Sequence, residues 1–312
     1  MGKHSKIGSI PITYNIDEDS YSDGKYEDML TEFFSGSTSE RTEEETLTYL
    51  DNNQEWPIVY HLSPLRKNLL NWYSFKKDSS LLEVGAGCGA LTDVFTESCK
   101  SVTALELTKR RAEIIAHRYK SRDNLEIIVD NLENYSGTKK YDYVTCIGVL
   151  EYSGEFIAAD DPYATFVNLC RSNLKKGGTF ILSIENKLGL KYWAGAREDH
   201  TWKFFDSIEG YPHDKKRRTF SKNELTELLE QNGFTNIQFY YPIPDMKLPT
   251  EVYSEAFTPN KTTMIGPGII PAPALDAPRV EVFNEWLALN NLVDSKDFDT
   301  FANSFIVFAE KK

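Results

Sequence analysis

The chain has 312 residues, 40% hydrophobic and 26% charged, with 35 basic and 47 acidic side chains giving a formal net charge of −12. That composition builds a globular core of one large or two smaller domains and argues against a basic nucleic-acid surface. No run approaches the roughly 18 apolar residues of a membrane span, and the start lacks the apolar stretch of a secretory leader, so a cytoplasmic chain is expected.

In chain order, residues 1–50 are polar and acidic, with eleven acids against two bases between positions 11 and 46. They read as a loosely ordered extension. Residues 51–78 follow as a helical cap, with Leu65, Leu69 and Trp72 at helical spacing. From Ser80, short apolar runs alternate with helical patterns, the signature of a parallel sheet with crossover helices. Strands are expected at Leu81 to Val84, Val102 to Leu105, Leu125 to Val129, Tyr143 to Ile147 and Thr179 to Ile184. Helices fall near Leu91 to Glu97, Thr108 to Lys120 and Pro162 to Leu174; Asp161-Pro162 is a cap followed by proline at the first helical position. Ser221 to Glu224 has the form of a capping box opening a further helix. Ile237 to Tyr241 and Phe305 to Ala309 complete the sheet. The core is thus 79–241 with 300–312, and the proline-rich 242–299 reads as an insertion. Cys88, Cys99, Cys146 and Cys170 form no CxxC pair, so neither a disulfide framework nor a metal site is expected.

The most informative stretch is Leu81-Leu82-Glu83-Val84-Gly85-Ala86-Gly87-Cys88-Gly89. An apolar strand ends in an acid and turns through glycines at alternate positions into a helix. A ligand lying across the strand end needs the backbone at contact distance, where a Cβ would intrude. Glu106, with Leu107 beside it, ends the next strand about twenty residues on, where an acid can accept both hydroxyls of a ribose. Glu83 is repulsive beside a pyrophosphate and tolerable beside a sulfonium, which favours S-adenosylmethionine over a nicotinamide dinucleotide. Asp130 and Asn131 follow the third strand, placed to meet an adenine, although Asp130 alone also fits a turn. Gly148 follows the fourth strand.

Together these residues resemble the class I S-adenosylmethionine-dependent methyltransferases. The resemblance implies an α/β Rossmann-like fold, its seven-stranded sheet mostly parallel with an antiparallel last strand. It also implies that Gly85, Ala86, Gly87 and Gly89 line the methionine tail, Glu106 holds the ribose, and Asp130 with Asn131 meets the adenine. Trp56-Pro57 with Tyr60 to Ser63, Glu185 to Tyr192, Glu198 to Thr201 and Pro242 to Pro249 are similar to a bacterial group of methyltransferases found with surface-polysaccharide glycosyltransferases. That resemblance suggests a saccharide acceptor.

Residues 185–220, after the fifth strand, read as an acceptor-side lid rich in aromatic rings. Within it His200 is the candidate base, oriented by Asp199, with Glu185 as a second acid. His61 and Arg66 of the cap are candidates to close over the donor's carboxylate, and Lys215 to Arg218 to meet an anionic acceptor. Two alternatives stand beside methyl transfer to a small-molecule or glycan-precursor hydroxyl. One is a nicotinamide-dependent oxidoreductase, the other a protein that binds S-adenosylmethionine without turnover.

Overall fold

A computed structural model describes residues 2–17, 21–135, 137–213, 216–260, 263 and 279–312. The chain divides into two compact units, residues 1–146 with 173–178, and residues 147–172 with 179–312. In the first unit β1 (Lys3–Ile7) and β2 (Ile10–Tyr14) form a hairpin, followed by α1 (Lys25–Ser35), α2 (Glu43–Asn52), α3 (Trp56–Leu62) and a 3₁₀ turn at Pro64–Leu69. Then β3 (Ser80–Val84), α4 (Thr92–Ser98), β4 (Ser101–Glu106), α5 (Lys109–Arg118), β5 (Leu125–Val129) and β6 (Tyr141–Ile147) alternate as expected. The strand order here is β1-β2-β5-β4-β3-β6, parallel throughout except for the hairpin. The central strands are short, mostly apolar runs buried on both faces, with Leu81, Leu82, Val102, Ala104 and Val144 all buried.

In the second unit α6 (Ser153–Phe156) and α7 (Pro162–Asn173) precede β7 (Leu174–Glu185), whose first five residues group with the first unit. They are followed by α8 (Leu190–Trp193), α9 (Lys222–Gln231), β8 (Phe234–Ile243), β9 (Glu251–Ser254), α10 (Glu285–Ser295), α11 (Phe298–Phe301) and β10 (Ser304–Lys311). Its order is β7-β10-β8-β9, and β10 runs antiparallel to both neighbours. The capping box that opens α9 is present, Ser221 accepting from the Glu224 N–H and Glu224 from the Ser221 N–H.

The expected seven strands are β3 to β8 and β10. Three more extend the count, the β1–β2 hairpin and β9. Part of the stretch read as an insertion is therefore sheet: β8 runs through Pro242 to Ile243 and pairs with β9 from Tyr240 onward. Residues 264–278 of that stretch, like Glu18 and Asp19 of the acidic one, lie outside the described residues.

The acidic start is also not a loose extension. Ile10 and Ile12 are buried in the hairpin, and β2 pairs with β5. Leu30 and Phe34 of α1, Leu50 of α2 and Ile58 and Leu62 of α3 form one apolar cluster with Cys88 and Ile114. Charge arithmetic misleads here because several of the acids are paired. Glu27 is 1% exposed and accepts from Arg111 Nε at 2.6 Å, while Asp23 accepts from Arg111 Nη2 at 2.8 Å. Arg110 reaches Asp28 at 2.9 Å. Neutralising one member of a buried pair leaves the other charge unmatched in a low-dielectric site. Glu27→Gln should therefore lower the unfolding free energy by about 3–5 kcal/mol in chemical denaturation, whereas an exposed acid such as Glu44 should be close to neutral when replaced.

Candidate active site

In the first unit the sheet's carboxyl edge carries the glycine turn. Gly85, Gly87 and Gly89 have φ of 69°, 56° and 77°, a left-handed backbone that a side chain would strain. The Gly85 N–H donates to the Leu105 carbonyl at 2.9 Å, which ties the turn to the tip of β4. Glu106, at that tip, is buried and accepts from the Gly87 N–H at 2.8 Å and from the Thr108 N–H and hydroxyl at 3.1 and 3.3 Å. Burial raises its pKa, opposed by Arg111 and by these donors.

The last two glycines of the turn differ in what surrounds them. A Cβ on Gly87 would find only His61 Cε1, at 4.0 Å, so the chain leaves room there. One on Gly89 would meet the Tyr119 ring at 3.0 Å and Ile115 at 3.3 Å, and the Gly89 carbonyl accepts from the Tyr119 hydroxyl. Gly89 is therefore a packing glycine under α5 and does not face a cradle as expected.

Glu83 is buried and accepts the Thr92 hydroxyl at 2.7 Å; burial first, then Asp93 and Glu106, lift its pKa to about 8. The full negative charge read from the sequence is thus largely masked at neutral pH. Asp130 is buried, its Oδ1 accepting from the Asn131 N–H at 2.9 Å and its Oδ2 from Asn15 Nδ2 at 2.8 Å. Asn15, at the end of the hairpin, escaped the sequence reading. Leu107 is half-buried beside Glu106.

From the cap, His61 packs by Gly87, its Nε2 3.3 Å from Asp23 Oδ2 and its buried Nδ1 without a hydrogen-bond partner. Burial lowers its pKa despite Asp23. Arg118 joins cap to turn by donating to the carbonyls of both His61 and Cys88. Arg66 is buried against Tyr60, stacked on its ring and donating to its hydroxyl.

The second unit holds a separate polar cluster. Gly148, at φ 70°, donates its N–H to the Ser183 carbonyl. Glu151, Glu185 and His200 are all buried and converge. His200 Nδ1 lies 3.1 Å from Glu198 Oε1, and Nε2 faces Glu151 Oε1 at 3.6 Å and Glu185 Oε2 at 3.8 Å. Glu198 is itself fixed by the N–H groups of His200 and Thr201 and by the Tyr211 hydroxyl. Burial alone would lower the His200 pKa, but Glu151, Glu198 and Glu185 hold it well above the usual value. Burial raises that of Glu151, while His200 opposes the rise.

Two sequence expectations are corrected here. Asp199 is not the partner of His200; it pairs with Lys191 at 2.8 Å, with Lys247, and with the Tyr192 hydroxyl at 2.5 Å. The carboxylates that face His200 hold its pKa up, which makes it less suited to act as a neutral base than the sequence suggests. The basic run is engaged too: Arg217 pairs with Glu155 and Arg218 lies over Tyr163 and Phe220, while Lys215 lies outside the described residues. Of the lid's rings, Tyr192 and Tyr211 are buried, whereas Trp193, Trp202 and Phe205 are exposed.

A family model described as a methyltransferase domain matches residues 58–239, more than half of the chain. The chain belongs to that family. The match decides against the nicotinamide alternative, and the donor of this methyltransferase domain is S-adenosylmethionine. The chain is 27% identical over 140 residues to the ubiquinone biosynthesis O-methyltransferase of Saccharophagus degradans, covering 44% of this chain and 56% of that protein. To the enzyme of the same name from Serratia proteamaculans it is 28% identical over 147 residues, 46% of this chain and 58% of that one. The chain thus spans just over half the length of these curated relatives. Among solved structures, a methyltransferase of Thermotoga maritima described as a possible histamine N-methyltransferase superposes with a TM-score of 0.48 at 17% identity, covering 87% of this chain and 100% of that one.

The first unit's residues fit the donor. Gly87 leaves space where a side chain would stand, His61 turns an unpartnered buried nitrogen beside it, and Glu106 and Asp130 are acceptors at successive strand ends. No described helix is long and apolar enough to cross a membrane.

The masked charge of Glu83 has a measurable sign. Its folded pKa lies above its unfolded value of about 4.5, so its contribution to stability is complete below that value and is lost as pH rises through about 8. Each unit of upward shift costs about 1.4 kcal/mol once the group is ionised. Unfolding free energies measured from pH 5 to 9 should fall less steeply in Glu83→Gln than in the unaltered chain.

Proposed function

We propose that the chain moves the methyl group of S-adenosylmethionine to a hydroxyl oxygen of a small-molecule or glycan-precursor acceptor. The donor supplies a methyl on a positively charged sulfur, so the protein's part is to bind, orient, exclude water and accept a proton. In this reading Glu106 receives the donor's ribose hydroxyls, Asp130 and Asn131 the adenine, and the Gly85 to Gly87 backbone with His61 the methionine tail.

The observation that carries the acceptor reading is the carboxylate excess around His200. A hydroxyl acceptor must lose a proton, and three buried acids surround one imidazole. Glu151, whose Oε1 stands 3.6 Å from His200 Nε2, is the group assigned to take the hydroxyl proton; burial raises its pKa and so makes it a stronger base than an ordinary carboxylate. His200, oriented by Glu198, stands beside that carboxylate. The curated relatives are named O-methyltransferases, which supports oxygen as the acceptor atom. The exposed rings of Trp193, Trp202 and Phe205 can stack on a sugar or other ring face, which supports a cyclic acceptor.

Calorimetry with S-adenosylhomocysteine should show one site per chain. Glu106→Ala should weaken it by about ten- to a hundredfold, as expected for loss of hydrogen bonds to a charged group; unaltered affinity would remove Glu106 from the site. With labelled S-adenosylmethionine and a panel of hydroxylated acceptors, Glu151→Gln should lower turnover by about 10²–10⁴ with little change in acceptor affinity. Binding of the donor with no labelled product from any acceptor or cell extract would favour the non-catalytic reading.

A further inference from the structure

We infer that the Glu151–Glu185–His200 cluster is a binding site for one divalent transition-metal ion. One nitrogen and two carboxylate oxygens from these residues lie within 4.8 Å of one another. The Nε2 to oxygen separations of 3.6 and 3.8 Å are too long for hydrogen bonds. They match the spacing of a ligand set, since donors at about 2.0–2.2 Å from a tetrahedral ion stand roughly 3.5 Å apart.

A second, independent feature points the same way. Glu151 and Glu185 are each 2% exposed, and Oε2 of each has no hydrogen-bond partner. Buried carboxylate oxygens are costly when unmatched, and the unmatched oxygen of Glu185 is the one turned to His200 Nε2. Its other oxygen is taken by Lys247 Nζ at 3.0 Å.

The surroundings complete the pattern. Histidine ligands commonly donate their second ring nitrogen to a carboxylate, which fixes the tautomer and aims the free lone pair. Here Nδ1 faces Glu198, which is itself held by two backbone N–H groups and the Tyr211 hydroxyl. The Tyr152 ring stands edge-on to the imidazole at 5.2 Å and walls one side. One imidazole with two carboxylates suits zinc, manganese, iron or cobalt better than calcium or magnesium, which prefer oxygen alone. The site rests on the ligand geometry and not on the role given to Glu151. It also stands or falls without any methyl transfer.

The test is metal binding by the whole chain, with neither donor nor acceptor present. Equilibrium dialysis against Zn²⁺ should leave one ion per chain and raise the unfolding temperature. Glu185→Gln and His200→Gln should each abolish retention. Glu198→Gln, which keeps the ligands, should weaken it by about 10–100-fold. Near-ultraviolet circular dichroism confirms that each variant is folded. Because a variant can fail that check, the unaltered chain titrated with Co²⁺ gives a second reading: a visible ligand-field spectrum of four- or five-coordinate intensity supports the site. A weak spectrum like that of the hydrated ion overturns it, as does Zn²⁺ retention that is absent or undiminished in the folded variants.

Discussion

The hydrogen bond from the Gly87 N–H to the Glu106 carboxylate joins the turn after β3 to the tip of β4, and the geometry of the first unit's strand ends depends on it. It forms only because Gly87 adopts a left-handed backbone, which brings its N–H within 2.8 Å of an acid fixed at the end of the neighbouring parallel strand. Parallel pairing sets that register, Val84 lying opposite Leu105, so the positions of the two strand ends follow from the sheet itself. A side chain at Gly87 would strain the turn and fill the space left beside His61.

How much of this was legible depends on the distance over which each signal acts. The strands of the core show in the sequence because strands covered on both faces need uninterrupted apolar runs, and the glycine turn with its two acids shows because each lies at a strand end. Asn15 did not show: its amide reaches Asp130 across 115 positions, and nothing local marks an asparagine at a hairpin end as a partner for a distant acid. Gly89 resembles Gly87 in sequence because glycines that admit a ligand and glycines that admit a tyrosine ring look alike until α5 is in place. For His200, adjacency suggested Asp199, but the side chains of consecutive residues diverge in this segment. The acid one residue earlier reaches the ring, and Asp199 turns to Lys191 and Lys247.

The short motifs between Glu185 and Pro249 have a common physical explanation. They are far apart in the chain, yet Glu185, Lys191, Tyr192, Glu198, Asp199, His200, Asp245 and Lys247 build one connected charged network within the second unit. Buried ions persist only when their partners are supplied together, so each segment's composition is constrained by the others. Replacing such a network by apolar packing of similar volume is often neutral or stabilising, so the network is weak evidence for stability.

The tie between Arg111 and the acids of the first helix bears on where the functional piece of the chain begins. The family match starts at residue 58, but Arg111, inside it, finds its counter-charges at Asp23 and Glu27, outside it. A fragment cut at the matched boundaries would strand a buried guanidinium and strip α1 and α2 from the apolar surface of Ile58, Leu62 and Ile114. The first unit therefore includes the acidic segment that its composition alone would mark as dispensable.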